Sequence, residues 1–143
     1  ARGGISTGQY SPGEAKDYHM KAEKALLHLK KQKEKGLLHY RDIGISTLFL
    51  HHPAEEINSF LSETFSVLWN NNETNDELLH TLFTYIQNNR SMATTAKELH
   101  IHTNTLYHRI KKVEDLLKID FNHYEDHLKV LLAVYLYNTF MAD

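Results

Sequence analysis

Residues 96–117, AKELHIHTNTLYHRIKKVEDLL, hold the side chains of this chain best suited to recognition chemistry. Asn104 offers a paired donor and acceptor that matches the edge of an adenine. Thr105 offers a hydroxyl for a base edge and a methyl for thymine. Arg109, Lys111 and Lys112 follow later in the run, where backbone phosphates are the natural targets, although Arg109 is also phased to turn partly toward the protein body. Tyr107 and His108 suit either purpose. Over residues 97–118 the cations Lys97, Arg109, Lys111, Lys112 and Lys118 outnumber the anions Glu98, Glu114 and Asp115, a local charge of +2 in a chain of −2. This is the chemistry of duplex DNA recognition, with Thr103, Asn104, Thr105, Tyr107, His108, Arg109, Lys111 and Lys112 as candidate contacts.

Such contacts need a rigid support, and the spacing predicts one. The helical period breaks at Leu99, His100, Ile101 and His102 and then restarts. A short helix in SMATTAKELH, capped by Ser91, is therefore expected to be followed by a longer one from about residue 103 to 117. Two helices joined by a turn of three or four residues form a helix-turn-helix, whose second helix lies in the major groove. Ala96 fits the close crossing of the two helices, Leu99 and Ile101 flank the turn, and Leu106 and Ile110 lock the second helix onto the first. His100 stands at a turn position that usually takes Gly, because the backbone there adopts positive φ; His tolerates this at a cost of ~1 kcal/mol. The second helix would present free N–H groups and partial positive charge at its start.

The remaining sequence reads as mostly helical. Residues 1–11, ARGGISTGQYS, are Gly-rich and aperiodic, so no core element is expected there, and such an opening fits a chain cut inside a larger protein. Pro12 suits a first helical position, and Ala15, Tyr18, Ala22, Ala25, Leu26 and Leu29 form the stripe of an amphipathic helix ending at Gly36 after a run of lysines. Residues 37–40 read as a short strand that needs partners from outside this chain, and residues 45–50 as helix or strand. Pro53 opens a helix with Ile57, Phe60, Leu61, Phe65, Leu68 and Trp69 on one side, and NNNETN is a linker. The next helix carries Leu78, Leu79, Leu82, Phe83 and Ile86 and ends at Asn88 and Asn89. The last, residues 124–140, is expected to turn Leu128, Leu131, Leu132, Tyr135 and Leu136 inward.

At 143 residues the chain can bury a core without disulfides or metals. It has no cysteine, which excludes a disulfide scaffold and every thiolate metal site. No run approaches the ~18 apolar residues of a membrane span, so no membrane partner and a cytoplasmic location are expected.

The stretch SMATTAKELHIHTNTLYHRIKKVEDLLKIDF, followed by DHLKVLLAVYLY, resembles the C-terminal domain of PucR/CdaR-type regulators of purine and sugar-diacid catabolism. Thr95, Ala96, Leu99, Ile101, His102, Asn104, Thr105, Leu106 and Arg109 stand at that family's positions, whereas Thr103, Tyr107 and His108 depart from its usual Arg and Arg-Tyr. Upstream, YSPGEAKDYHMKAEKAL and LLHYRDIGISTLFL resemble the end of the GGDEF-like domain that precedes the helix-turn-helix there. The resemblance implies a mainly α chain: a helix-turn-helix DNA-binding bundle over residues 75–143, a connecting helix and linker over 53–74, and a truncated α+β remnant of the GGDEF-like domain over 1–52. It implies a bacterial, sequence-specific transcription regulator whose effector is sensed by an N-terminal domain missing here.

Two rival classes compete. The eleven His invite an enzyme or metal site, with His123 and His127 four apart and His100, His102 and His108 near one another. No HExxH, Gly-rich phosphate loop or Ser/His/Asp pattern is present, nor a Gly-Gly-Asp-Glu-Phe signature. No enzymatic or cyclase activity, cofactor or metal is therefore expected. The net negative charge favours the other rival, a helical protein–protein interaction module without DNA binding. A homodimer is expected, because paired half-sites about 34 Å apart make up for the few base contacts of one small domain.

Overall fold

The computed structural model describes residues 2–5, 15–31, 36–39, 44–70 and 72–141. The chain divides into two units, residues 1–56 with 138–143, and residues 57–137.

In the first unit β1 (Arg2–Ile5) pairs in parallel with β2 (Gly36–His39), Arg2 opposite Gly36 and Ile5 opposite His39. A parallel pair needs a long crossover, and α1 (Ala15–Lys31) supplies it. Two expectations are corrected. Within the Gly-rich opening Arg2–Ile5 form a strand, and it is the partner that the second strand needs; a four-residue run holding two glycines has no periodic signal of its own. Gly36 is the first residue of β2 rather than the end of α1, whose described residues run from Ala15 to Lys31. Pro12 and Lys33 to Lys35 lie outside the described residues. Gly4 explains the close seat of β1 on α1, because a Cβ there would run into the Ala22 carbonyl oxygen and come 2.7 Å from the Leu26 backbone nitrogen. Ala25 and Leu50 are fully buried in this unit, with Leu27 and Phe140 packed against them. Residues 45–50, read as helix or strand, fall mostly in a 3₁₀ turn, Gly44–Leu48.

The second unit is helical. From α2 (Ala54–Phe65) it takes Ile57, Leu61 and Phe65 into its core, and a 3₁₀ turn, Ser66–Leu68, adds Leu68. Phe60 is only half-buried within α2, and Trp69, beyond the end of that helix, is exposed. Helix α3 (Glu73–Gln87) begins at Asn72, whose side chain accepts from the Thr74 N–H, and buries Leu78, Leu82, Tyr85 and Ile86. There follow α4 (Met92–Glu98), α5 (Thr103–Leu117) and α6 (Tyr124–Leu136), the last running into a π turn, Tyr137–Met141.

The inward face of α6 differs from expectation. Val130, Ala133, Val134 and Leu136 are buried, Leu132 and Tyr135 are half-buried, and Leu128 and Leu131 are 46% and 41% exposed. Residues 130–136 are apolar without interruption, so periodicity alone does not fix the phase; the fit against the neighbouring helices does.

Helices α3 and α4 end in the same way, with a left-handed residue and paired return bonds. After α3, Asn89 (φ 53°) donates to Ile86 O and Arg90 to Tyr85 O. After α4, His100 (φ 55°) donates to Lys97 O and Ile101 to Ala96 O. A left-handed residue, Lys118 (φ 56°), also ends α5, where Ile119 donates to Glu114 O. None of the three is glycine.

Two outcomes follow. Gly4→Ala should weaken the first unit by ~1–3 kcal/mol through overpacking, read as lost amide-exchange protection in β1 and α1 with α3 to α6 unchanged. His100→Gly should stabilise the second unit by ~1 kcal/mol through release of left-handed strain, read as a higher denaturant midpoint.

Candidate nucleic-acid interface

The short helix α4 is positioned by its ends. Ser91 caps it, its hydroxyl accepting from the Thr94 N–H at 3.2 Å. At the other end the return bonds around His100 turn the chain sharply. Ala96 is 4% exposed, as the close crossing of α4 and α5 requires.

Helix α5 starts where His102 caps it: the imidazole Nδ1 accepts from the Asn104 N–H at 3.0 Å, which places the ring proton of a neutral imidazole on Nε2. This role was not legible in the sequence, because His is not among the usual capping residues. No acidic residue stands in the first turn of α5, so the positive end of the helix is left uncompensated by its own side chains.

Period 3.6 then sorts the helix. Leu106, Ile110 and Val113 are buried against the rest of the unit. Thr103, Asn104, Thr105, Tyr107, His108, Lys111 and Lys112 are exposed. Of the sequence candidates only Arg109 is drawn inward. Its guanidinium donates to Glu77 Oε1 at 2.6 Å and reaches Thr81 Oγ1 at 3.5 Å, both on α3, so it braces α5 on α3.

Lys111 is exposed yet held. Its ammonium lies 3.3 Å from Glu114 Oε1 and 5.7 Å from the centre of the Tyr107 ring. The hydrogen bond and charge of Glu114 raise its pKa, so it stays cationic. Glu114 also accepts from the Phe121 N–H through Oε2, at 3.1 Å. A partly buried carboxylate thus fixes the direction of a surface cation, a role that spacing alone does not single out. The Tyr107 and His108 rings meet edge to face, with centroids 5.8 Å apart. The exposed face of α5 therefore carries an amide and two hydroxyls near its start, aromatic rings midway and two lysines beyond, an arrangement that can bond base edges and phosphates together. Among the described residues no three of His, Asp and Glu come together to hold a metal ion, and no helix is long and apolar enough to cross a membrane.

Comparison with known proteins agrees with this geometry. Residues 78–136 match the family model of the PucR C-terminal helix-turn-helix domain. The chain is 32% identical over 82 residues to the purine catabolism regulatory protein of Bacillus subtilis, an alignment covering 57% of this chain and 15% of that protein. It is 36% identical over 64 residues to the proline-responsive transcriptional activator PutR of the same organism, covering 45% and 16%. An uncharacterized B. subtilis protein, YxkF, is 30% identical over 120 residues, covering 81% of this chain and 38% of the relative. The chain thus spans well under half the length of these relatives. No solved structure matches. With a capped short helix, a four-residue turn and an exposed second helix inside the matched region, residues 78–136 form a helix-turn-helix unit similar to the PucR C-terminal domain.

Proposed function

We propose that this chain is the DNA-binding part of a transcription regulator, with α5 as the recognition helix in the major groove of double-stranded DNA. The observation that carries the reading is the outward face of α5, polar and cationic from Thr103 to Lys112 and set on a buried seat of Leu106, Ile110 and Val113. Asn104 and Thr105 read base edges, and Lys111 and Lys112 hold phosphates. Thr103, Tyr107 and His108 flank them, and Arg109 contributes by orienting the helix. The names of the aligned B. subtilis relatives support a regulatory role. The aligned relatives extend far beyond the aligned residues, which supports effector sensing by a domain outside the helix-turn-helix unit. The order β1, α1, β2 supports reading residues 1–52 as part of a GGDEF-like α+β domain.

Homodimerisation completes the reading, because one recognition helix covers only a half-site. It is supported by the exposed apolar side chains of Tyr124, Leu128 and Leu131 on α6.

Fluorescence anisotropy with the promoter fragment beside its own gene and with random duplexes, over a salt series, tests the DNA reading. Asn104→Ala should weaken specific binding by ~1–3 kcal/mol and relax preference at one base pair. Lys112→Ala should lower the salt slope by about 0.9 at every sequence. Helicity by circular dichroism should stay unchanged in both. Absence of salt-dependent binding to any duplex would overturn the proposal. For the dimer, sedimentation should show a self-associating chain that Leu128→Glu converts to monomer without loss of helicity; a wild-type monomer at high concentration would refute it.

A further inference from the structure

A second polar site lies apart from the exposed face of α5, in the cleft between the α3–α4 turn and α6. Its volume is about 370 Å³, and Ile86, Asn89, Arg90, His127 and Leu131 line it. Two side chains there have polar atoms with no protein partner: Arg90 Nε and His127 Nδ1 are both buried. A buried polar group left unanswered destabilises a protein by ~1–3 kcal/mol, so two of them in one cleft call for a physical account.

Backbone strain points to the same place. Asn89 and Arg90 are consecutive left-handed residues, with φ 53° and 62°. Asn tolerates that geometry, but a long side chain such as Arg does so only at ~1 kcal/mol or more. The Arg90 guanidinium lies over the Phe121 ring, 5.9 Å from its centre. Ile86, Asn89 and Leu131 are neutral, so the lining holds one permanent cation, one imidazole and no carboxylate. Burial, and after it the charge of Arg90, lower the His127 pKa. The two groups therefore share one electrostatic environment.

We propose that this cleft is a phosphate-binding site, in which the two side chains turn toward an oxyanion that accepts from the Arg90 guanidinium, Nε–H included, and from His127 Nδ1–H. A phosphate group supplies several acceptor oxygens at once and offsets the Arg90 charge. Its source is either a free phosphate or a phosphate of the DNA backbone. Occupancy would tie α6 to the turn that leads into α4, and so stiffen the support of the helix-turn-helix. The site stands whether or not α5 reads DNA, because its residues lie outside the proposed recognition face.

The test follows the Arg90 Nε–H, the His127 ring and the Leu131 methyls by NMR in the whole chain at fixed pH and ionic strength. Inorganic phosphate is titrated in one arm and a short duplex in the other, with chloride as the control. A free-phosphate site gives saturable shifts of all three with inorganic phosphate and not with chloride. A backbone-phosphate site gives them with the duplex alone. In either case Arg90→Gly, which the left-handed backbone accepts, should weaken the response of His127 and Leu131 by about tenfold or more. His127→Gln should weaken that of Arg90 in the same way. Shifts in neither arm, or shifts that persist in Arg90→Gly, overturn the proposal and leave ordered water as the partner of both atoms.

Discussion

The seating of α5 is the constraint on which the proposed interface depends. Leu106, Ile110 and Val113 are nearly or wholly removed from water. Each such burial contributes about 1.5–3 kcal/mol. The Arg109–Glu77 pair also joins α5 to α3, but its carboxylate side chain is 55% exposed. Exposed ion pairs contribute only ~0–1 kcal/mol. Apolar packing therefore holds the helix in place and sets its rotation, and the ion pair adds a polar brace to α3. Because successive residues advance by 100° around the helix, burying those three leaves Asn104, Thr105, Tyr107, His108, Lys111 and Lys112 on the outside.

The turns make that seating possible. In a helix-turn-helix the second helix stands out from the body because the chain before it turns sharply, and at the ends of α3, α4 and α5 the turns use left-handed residues other than glycine. The return bonds of His100 and Ile101 satisfy carbonyls at the end of α4, and His102 then answers an orphan N–H at the start of α5. Backbone satisfaction at both ends fixes where α5 begins, and with it which side chains stand in its first turn.

The first unit depends on close approach rather than on bulk. A two-stranded parallel sheet is marginal alone, and it persists because Gly4 lets β1 lie against the backbone of α1. The same rule runs in reverse in the second unit, where large aromatic rings fill space: Phe65 meets Phe83 at 5.5 Å and Tyr85 meets Phe121 at 5.7 Å.

The sequence by itself determined the pair of helices and the turn between them, through a break in period 3.6 between two amphipathic runs with Ser91 before the first, and the residues around that break singled out a helix-turn-helix. The positive φ at His100 was readable for the same reason, and so was the outward set on α5, because burial of Leu106 and Ile110 dictates the opposite face. Only the tertiary structure decided the strand at Arg2–Ile5, whose partner lies 34 residues along the chain. It also decided the phase of α6, where unbroken apolar sequence carries no preferred direction. The partners of Arg109 and Lys111, the capping role of His102 and the meeting of Arg90 with His127 were likewise hidden. Local pattern reports what a residue does to its own helix, whereas these contacts come from packing between elements distant in sequence or from side-chain directions that spacing does not encode.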